Sequence, residues 1–97
     1  MPHYVALLRY TSQGIAKIKD SPARLDAARK AAQSMGGKIH AWYLTMGKYD
    51  AVLLAEFPSD DVCARFMLSV SLLGNVTTQT LKAFNEDEYR KIIGSLP

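Results

Sequence analysis

Apolar residues recur along this chain in two periods, and the switches between them mark out the elements. His3–Tyr10 reads HYVALLRY and Ala51–Phe57 reads AVLLAEF, short aliphatic and aromatic runs of strand length. In each run both alternating sets are largely Val, Leu, Ala, Phe or Tyr. A sheet in a small α+β domain usually carries its helices on one side. The second apolar face must then meet another copy of the protein or a ligand, which predicts a homo-oligomer with a pocket between sheets.

The rest of the chain fits between these strands. Thr11–Gly14 are turn formers, and Ile15–Ile18 suggest a short helical turn. Ser21-Pro22 signals a helix start. Leu25, Ala28, Ala32 and Met35 then make one apolar stripe, with Arg24, Asp26, Arg29, Lys30 and Gln33 off it. The stripe is narrow and rich in alanine, so this helix is expected to pack close to the sheet. Gly36-Gly37 ends it. Lys38–Met46 and Tyr49–Phe57 read as strands joined through Gly47-Lys48, hence antiparallel neighbours. Ser59 is placed to cap a second helix with Asp60 and Asp61 in its first turn. Val62/Cys63, Phe66, Val70 and Leu73 form its stripe. Val76–Phe84 is a fourth strand. Asn85 and Glu88 resemble a capping box for a terminal helix, whose Tyr89, Ile92, Ile93 and Leu96 can pack back on the body. The order is α+β, a ferredoxin-like βαββαβ arrangement with a four-stranded antiparallel sheet in the order 4-1-3-2, plus a C-terminal helix. Residues 1–97 read as one domain.

Charge and cysteine usage narrow the function classes. The formal charge is +3, but the basic residues are scattered and interrupted by acidic ones, unlike the clustered face of a nucleic-acid binder. No apolar stretch is long enough for a membrane span, and the N-terminus lacks the pattern of a secretory leader. The expectation is a soluble, cytoplasmic protein with no nucleic-acid or membrane partner. The lone Cys63 cannot form an internal disulfide and reads as a small buried hydrophobe.

The chain is identified as a member of the GYD-domain family, small bacterial and archaeal proteins named for a glycine–tyrosine–aspartate motif. That motif stands here as Gly47-Lys48-Tyr49-Asp50. The likeness extends through YVALLRYTSQGIAKIKDSPARLDAARK, MGGKIHAWYLTMGKYD, SLLGNVTTQTLKAF and YRKIIGSLP. The resemblance implies a fold of the dimeric α-β barrel type and little about activity. The hairpin is also similar to that of the small-molecule-binding domain of Lrp/AsnC-type regulators, although no helix-turn-helix segment precedes it here.

In the Gly47–Asp50 turn, glycine supplies a positive φ. Asp50 can accept hydrogen bonds from free amides of the turn or a neighbouring subunit, and Tyr49 covers apolar surface while offering a hydroxyl. Gly47, Tyr49 and Asp50, with Tyr4 and Trp42, are therefore candidate ligand-binding or interface residues. Tyr4 and Tyr10 share a strand parity, so they could floor a pocket for a small apolar or aromatic ligand. Ordinary core packing is the plainer reading of the aromatics, as a polar strand position is for His3 and His40. No H-x-H, C-x-x-C or H-E-x-x-H spacing indicates a metal. No phosphate loop and no G-x-S-x-G elbow occurs, and the identity of any cofactor is left open by the sequence. The favoured expectation is a non-catalytic homo-oligomer that binds a small molecule or serves in assembly. The alternative is a small-molecule enzyme of the dimeric α-β barrel type, whose relatives by fold include cofactor-free monooxygenases, isomerases and haem-degrading enzymes. His40, Tyr10 or Asp50 would then be the acid, base or orienting group, provided they converge on one cavity.

Overall fold

A computed structural model describes residues 1–97. Its elements are β1 (His3–Tyr10), α1 (Ser12–Ala16), a 3₁₀ turn (Ile18–Asp20), α2 (Ser21–Ser34), β2 (Lys38–Leu44), β3 (Ala51–Glu56), α3 (Asp60–Leu72), β4 (Val76–Ala83) and α4 (Glu86–Gly94). The strands form one antiparallel sheet in the order β2-β3-β1-β4. This is the predicted α+β, ferredoxin-like architecture.

Alternation along the central strands divides the sheet into two sides. Tyr4, Ala6 and Leu8 of β1 and Ala51, Leu53 and Ala55 of β3 are buried and join Ala32 of α2 and Cys63, Phe66 and Met67 of α3 in the core. Val5, Leu7, Val52 and Leu54 point the other way and are only partly covered. Phe57, fully buried, packs against Phe66 with ring centroids 5.0 Å apart and planes tilted by 37°. Gly37 is required beside it: a Cβ there would lie 2.4 Å from the Phe57 ring.

The β2–β3 connection is longer than the sequence predicts. Strand pairing stops at Leu44↔Ala51, so Met46 and Tyr49 lie in the turn and not in the strands. Gly47 takes a φ of +118°, and Thr45 closes the loop by donating its N–H to the Asp50 carbonyl (2.8 Å) and its hydroxyl to the Tyr49 carbonyl (2.7 Å). These bonds are satisfied inside the loop and leave no ladder to extend.

Two helix ends also differ from expectation. Ser21 is not a cap: the 3₁₀ turn runs straight into α2, so Asp20 occupies the cap position in a helical conformation with no side-chain bond. The Ser21 hydroxyl lies instead 3.1 Å from the Tyr10 hydroxyl. Ser59 has the extended backbone of a cap, but its hydroxyl donates to Asp61. At α4 the predicted capping box is present in full, Glu88 N–H to Asn85 at 2.8 Å and Asn85 N–H to Glu88 at 2.9 Å. The helix does not fold back, however. Tyr89, Ile92, Ile93 and Leu96 are all exposed, and α4 projects from a molecule measuring 51 × 31 × 18 Å. No helix is long and apolar enough to cross a membrane.

Candidate functional site

The sheet presents two surfaces with different chemistry. On the helix side, α2 is held off the strands along part of its length. Ala32 is fully buried, yet Leu25 and Ala28 of the same stripe border a cavity of about 270 Å³. The expected close packing therefore holds at one end of α2 only. Its alanines are too short to fill the space over β1 and β4. Ala6, Leu8, Tyr10, Trp42, Leu53 and Val76 contribute the sheet wall, and Phe66, Met67 and Val70 the α3 wall.

The other side of the sheet has no helix over it. Strand register sets Ala41, Leu54, Val5 and Leu81 in one row and Tyr43, Val52, Leu7 and Gln79 in the next. The centre of this open face is thus aliphatic, and both ends are polar. At one end Glu56 bridges two histidines, with His3 Nε2 at 2.6 Å and His40 Nε2 at 3.2 Å. The imidazole rings stack at 6.5 Å, and Glu88 of α4 stands 3.6 Å from His3 Nδ1. The His40 hydrogen bond is the main cause that holds the Glu56 carboxyl below its usual range, with the charges of His3 and His40 adding to it and desolvation opposing. At the opposite end the Tyr49 ring lies under the Arg9 guanidinium at 5.0 Å and its hydroxyl donates to Gln79 of β4. The Lys48 ammonium stands 5.9 Å from the same ring.

The residues singled out in the sequence are distributed over these surfaces. Asp50 is bound into its own chain: its carboxylate accepts the Tyr10 N–H at 2.9 Å and its own N–H donates to the Leu8 carbonyl at 2.8 Å. Gly47 supplies the turn, and no atom lies within 4 Å of where its side chain would be. Tyr49 borders the open face. Tyr10 and Trp42 line the helix-side cavity, whereas His40 and Asp50 do not. The three acid–base candidates therefore share no cavity. Tyr4 lies in the core at the other end of β1, where its hydroxyl donates to Asp60. Burial, and secondarily that carboxylate, push its ionisation well above the usual phenol range. Asp60 is held low in turn by the Tyr4 hydroxyl and then by Lys82. Burial pushes the Cys63 thiol up to about 11, so at neutral pH it is an unreactive core group. No group of three or more His, Cys, Asp or Glu side chains has the arrangement of a metal site.

One cavity residue escapes the sequence reading. Off the apolar stripe, Arg24 looks like a solvated charge, but it follows Ser21 by three positions and precedes Ala28 and Ala31 by four and seven. That spacing puts all four on one helix face, and all four line the cavity.

Comparison with known proteins agrees with this architecture. The chain is 30% identical over 84 residues to the glutamine synthetase and cystathionine beta-lyase binding protein of Thermus thermophilus, a match covering 86% of this chain and 88% of that one. Among solved structures it superposes on the feast or famine regulatory protein of M. tuberculosis complexed with L-methionine, with a TM-score of 0.67 at 18% identity over 88% of this chain. That likeness is one of fold, and this chain spans about half (51%) of the regulator. It also superposes on TTHA0845 from Thermus thermophilus, with a TM-score of 0.50 at 27% identity, over 88% of this chain and 95% of the other. The model of the GYD domain matches residues 4–93, from the first core tyrosine to the last turn of α4, and the chain belongs to the GYD domain family.

Proposed function

We propose that this protein is a non-catalytic, cytoplasmic homo-oligomeric module that binds a small molecule or joins other proteins into an assembly. The observation that carries this reading is the open sheet face. Val5, Leu7, Val52, Leu54 and Leu81 form a continuous aliphatic surface with no element of the chain across it. The apolar side of α4, with Ile92 and Ile93 about half exposed, is a second uncovered surface on the same molecule. Burying apolar area stabilises association by roughly 25 cal/mol per Å², and contiguous patches of this kind mark interaction sites. A second copy brings both surfaces at once. A binding role is supported by the Thermus relative, which is named for binding two enzymes, and by a fold shared with a regulator solved with an amino acid.

Size-exclusion chromatography with light scattering tests the assembly. The wild-type protein is expected to elute at a multiple of the chain mass at micromolar concentration. Leu54→Glu, which places a charge at the centre of the open face, is expected to shift it toward the monomer. A wild-type protein that stays folded and monomeric at that concentration overturns the reading.

A further inference from the structure

We propose that the cavity between α2, α3 and the sheet is a binding site for a small apolar monocarboxylate, held by Arg24. The proposal rests on the reading of the chain as a small-molecule-binding module and gives its ligand a chemical class.

Three features of the cavity point the same way. Its walls are mainly aliphatic and aromatic, and its volume of about 270 Å³ falls near the low end of ligand pockets, roughly 300 Å³. The occupant is therefore small and largely apolar. Arg24 is the sole charged residue in the lining, with no aspartate or glutamate to balance it. Its guanidinium is also half satisfied: Nη1 donates to the Lys17 carbonyl at 2.9 Å, while Nη2 is shut off from solvent with no acceptor. A buried N–H left unpaired is costly. A carboxylate is the ligand group that pairs a lone guanidinium with a charge-assisted bond, among the strongest that proteins make.

The polar groups are gathered at one end. Ser21 precedes Arg24 by one helical turn, and its hydroxyl lies 3.1 Å from that of Tyr10. Tyr10 pairs with Val76 at the end of β1, whereas Ala6, Leu53 and Trp42 share a row four residues back. At about 3.4 Å per residue these rows are ~14 Å apart. The ligand's acid group belongs beside Arg24, Ser21 and Tyr10, and its body runs toward Trp42. An α-amino acid is disfavoured, because its ammonium would enter a cavity without a carboxylate to receive it.

The protein carries its own reporter, since Trp42 is the one tryptophan in the chain and lines the cavity. The experiment titrates Trp42 fluorescence of the full-length protein with 4-methylpentanoate, its amide, and leucine, which is the same acid with an α-ammonium. The acid is expected to saturate the signal and to bind at least tenfold tighter than the other two. Arg24→Gln is expected to reduce acid affinity at least tenfold, toward that of the amide, and to weaken amide binding by much less. The proposal is overturned if the amide or leucine equals the acid, if Arg24→Gln binds the acid as before, or if none of the three perturbs Trp42 at millimolar concentration. Should Arg24→Gln fail to fold, the comparison of acid with amide on the wild-type protein decides alone. Light scattering on the same samples separates the outcomes: a persistent oligomer that ignores all three compounds retires the carboxylate site and leaves assembly standing.

Discussion

Asp50 shows how one side chain can fix the relation between two strands and a loop. Its carboxylate takes the Tyr10 N–H where β1 runs past the end of β3, its N–H reaches the Leu8 carbonyl, and its carbonyl closes the hairpin on Thr45. Asp50→Ala leaves the Tyr10 amide without its acceptor. A lost hydrogen bond to a charged group is worth about 2 kcal/mol, and a drop of that order in urea-unfolding stability is expected, smaller for Asp50→Asn. Glu56 gives a pH-dependent counterpart. Its carboxyl titrates below the ordinary value of 4.5 in the folded protein, so the unfolded chain takes up its proton first as pH falls. The stability it contributes is complete above the ordinary carboxylate range and is lost as pH drops through the lower folded value. Denaturation of wild type and Glu56→Gln across that range should show the stability difference between them shrinking toward acid. A difference that stays constant with pH would mean that the His3–Glu56–His40 bridge contributes nothing.

At the scale of elements, regular patterns were readable and their tertiary consequences were less so. The alternation in β1 and β3 gave strands with two apolar sides, and Asn85 with Glu88 gave the start of α4. In each case the deciding interactions lie within a few residues. The apolar stripe of α2 was readable too, but not the gap beneath it, because whether alanines fill a space depends on residues from β1, β4 and α3 that are distant in sequence. Arg24 was hidden for the same reason. A charge beside a stripe looks solvated until the neighbouring turn and sheet close over it. The hydrophobic side of α4 was legible, but it read as packing back on the body, and in the structure it stays exposed, because nothing local fixes what an apolar helix face packs against. That question can be put to the helix directly. Arg90 and Lys91 are exposed in the single chain, so trypsin should cut α4 readily in dilute solution. If α4 takes part in the proposed assembly, cleavage should slow as concentration rises through the range where light scattering detects association. Cutting that is equally fast at all concentrations would show that α4 remains free in the assembly.

The molecule as a whole uses its sheet as a partition. One side is committed to core and cavity, the other to the open face, and β1 supplies both from alternate residues: Ala6, Leu8 and Tyr10 inward, Val5, Leu7 and Arg9 outward. The outward side is also polarised along the strands. Glu56 and Glu88 lie near the His3 end, Arg9 and Lys48 near the other, roughly 20 Å apart along β1 at about 3.4 Å per residue. Two such plates laid together head to head would set like charge against like. Turned end for end, each offers its cationic rim to the anionic rim of the other. If two copies meet through this face, aliphatic contact would supply the grip and the charged ends would favour a stacking with opposed strand directions, a preference that added salt should blunt.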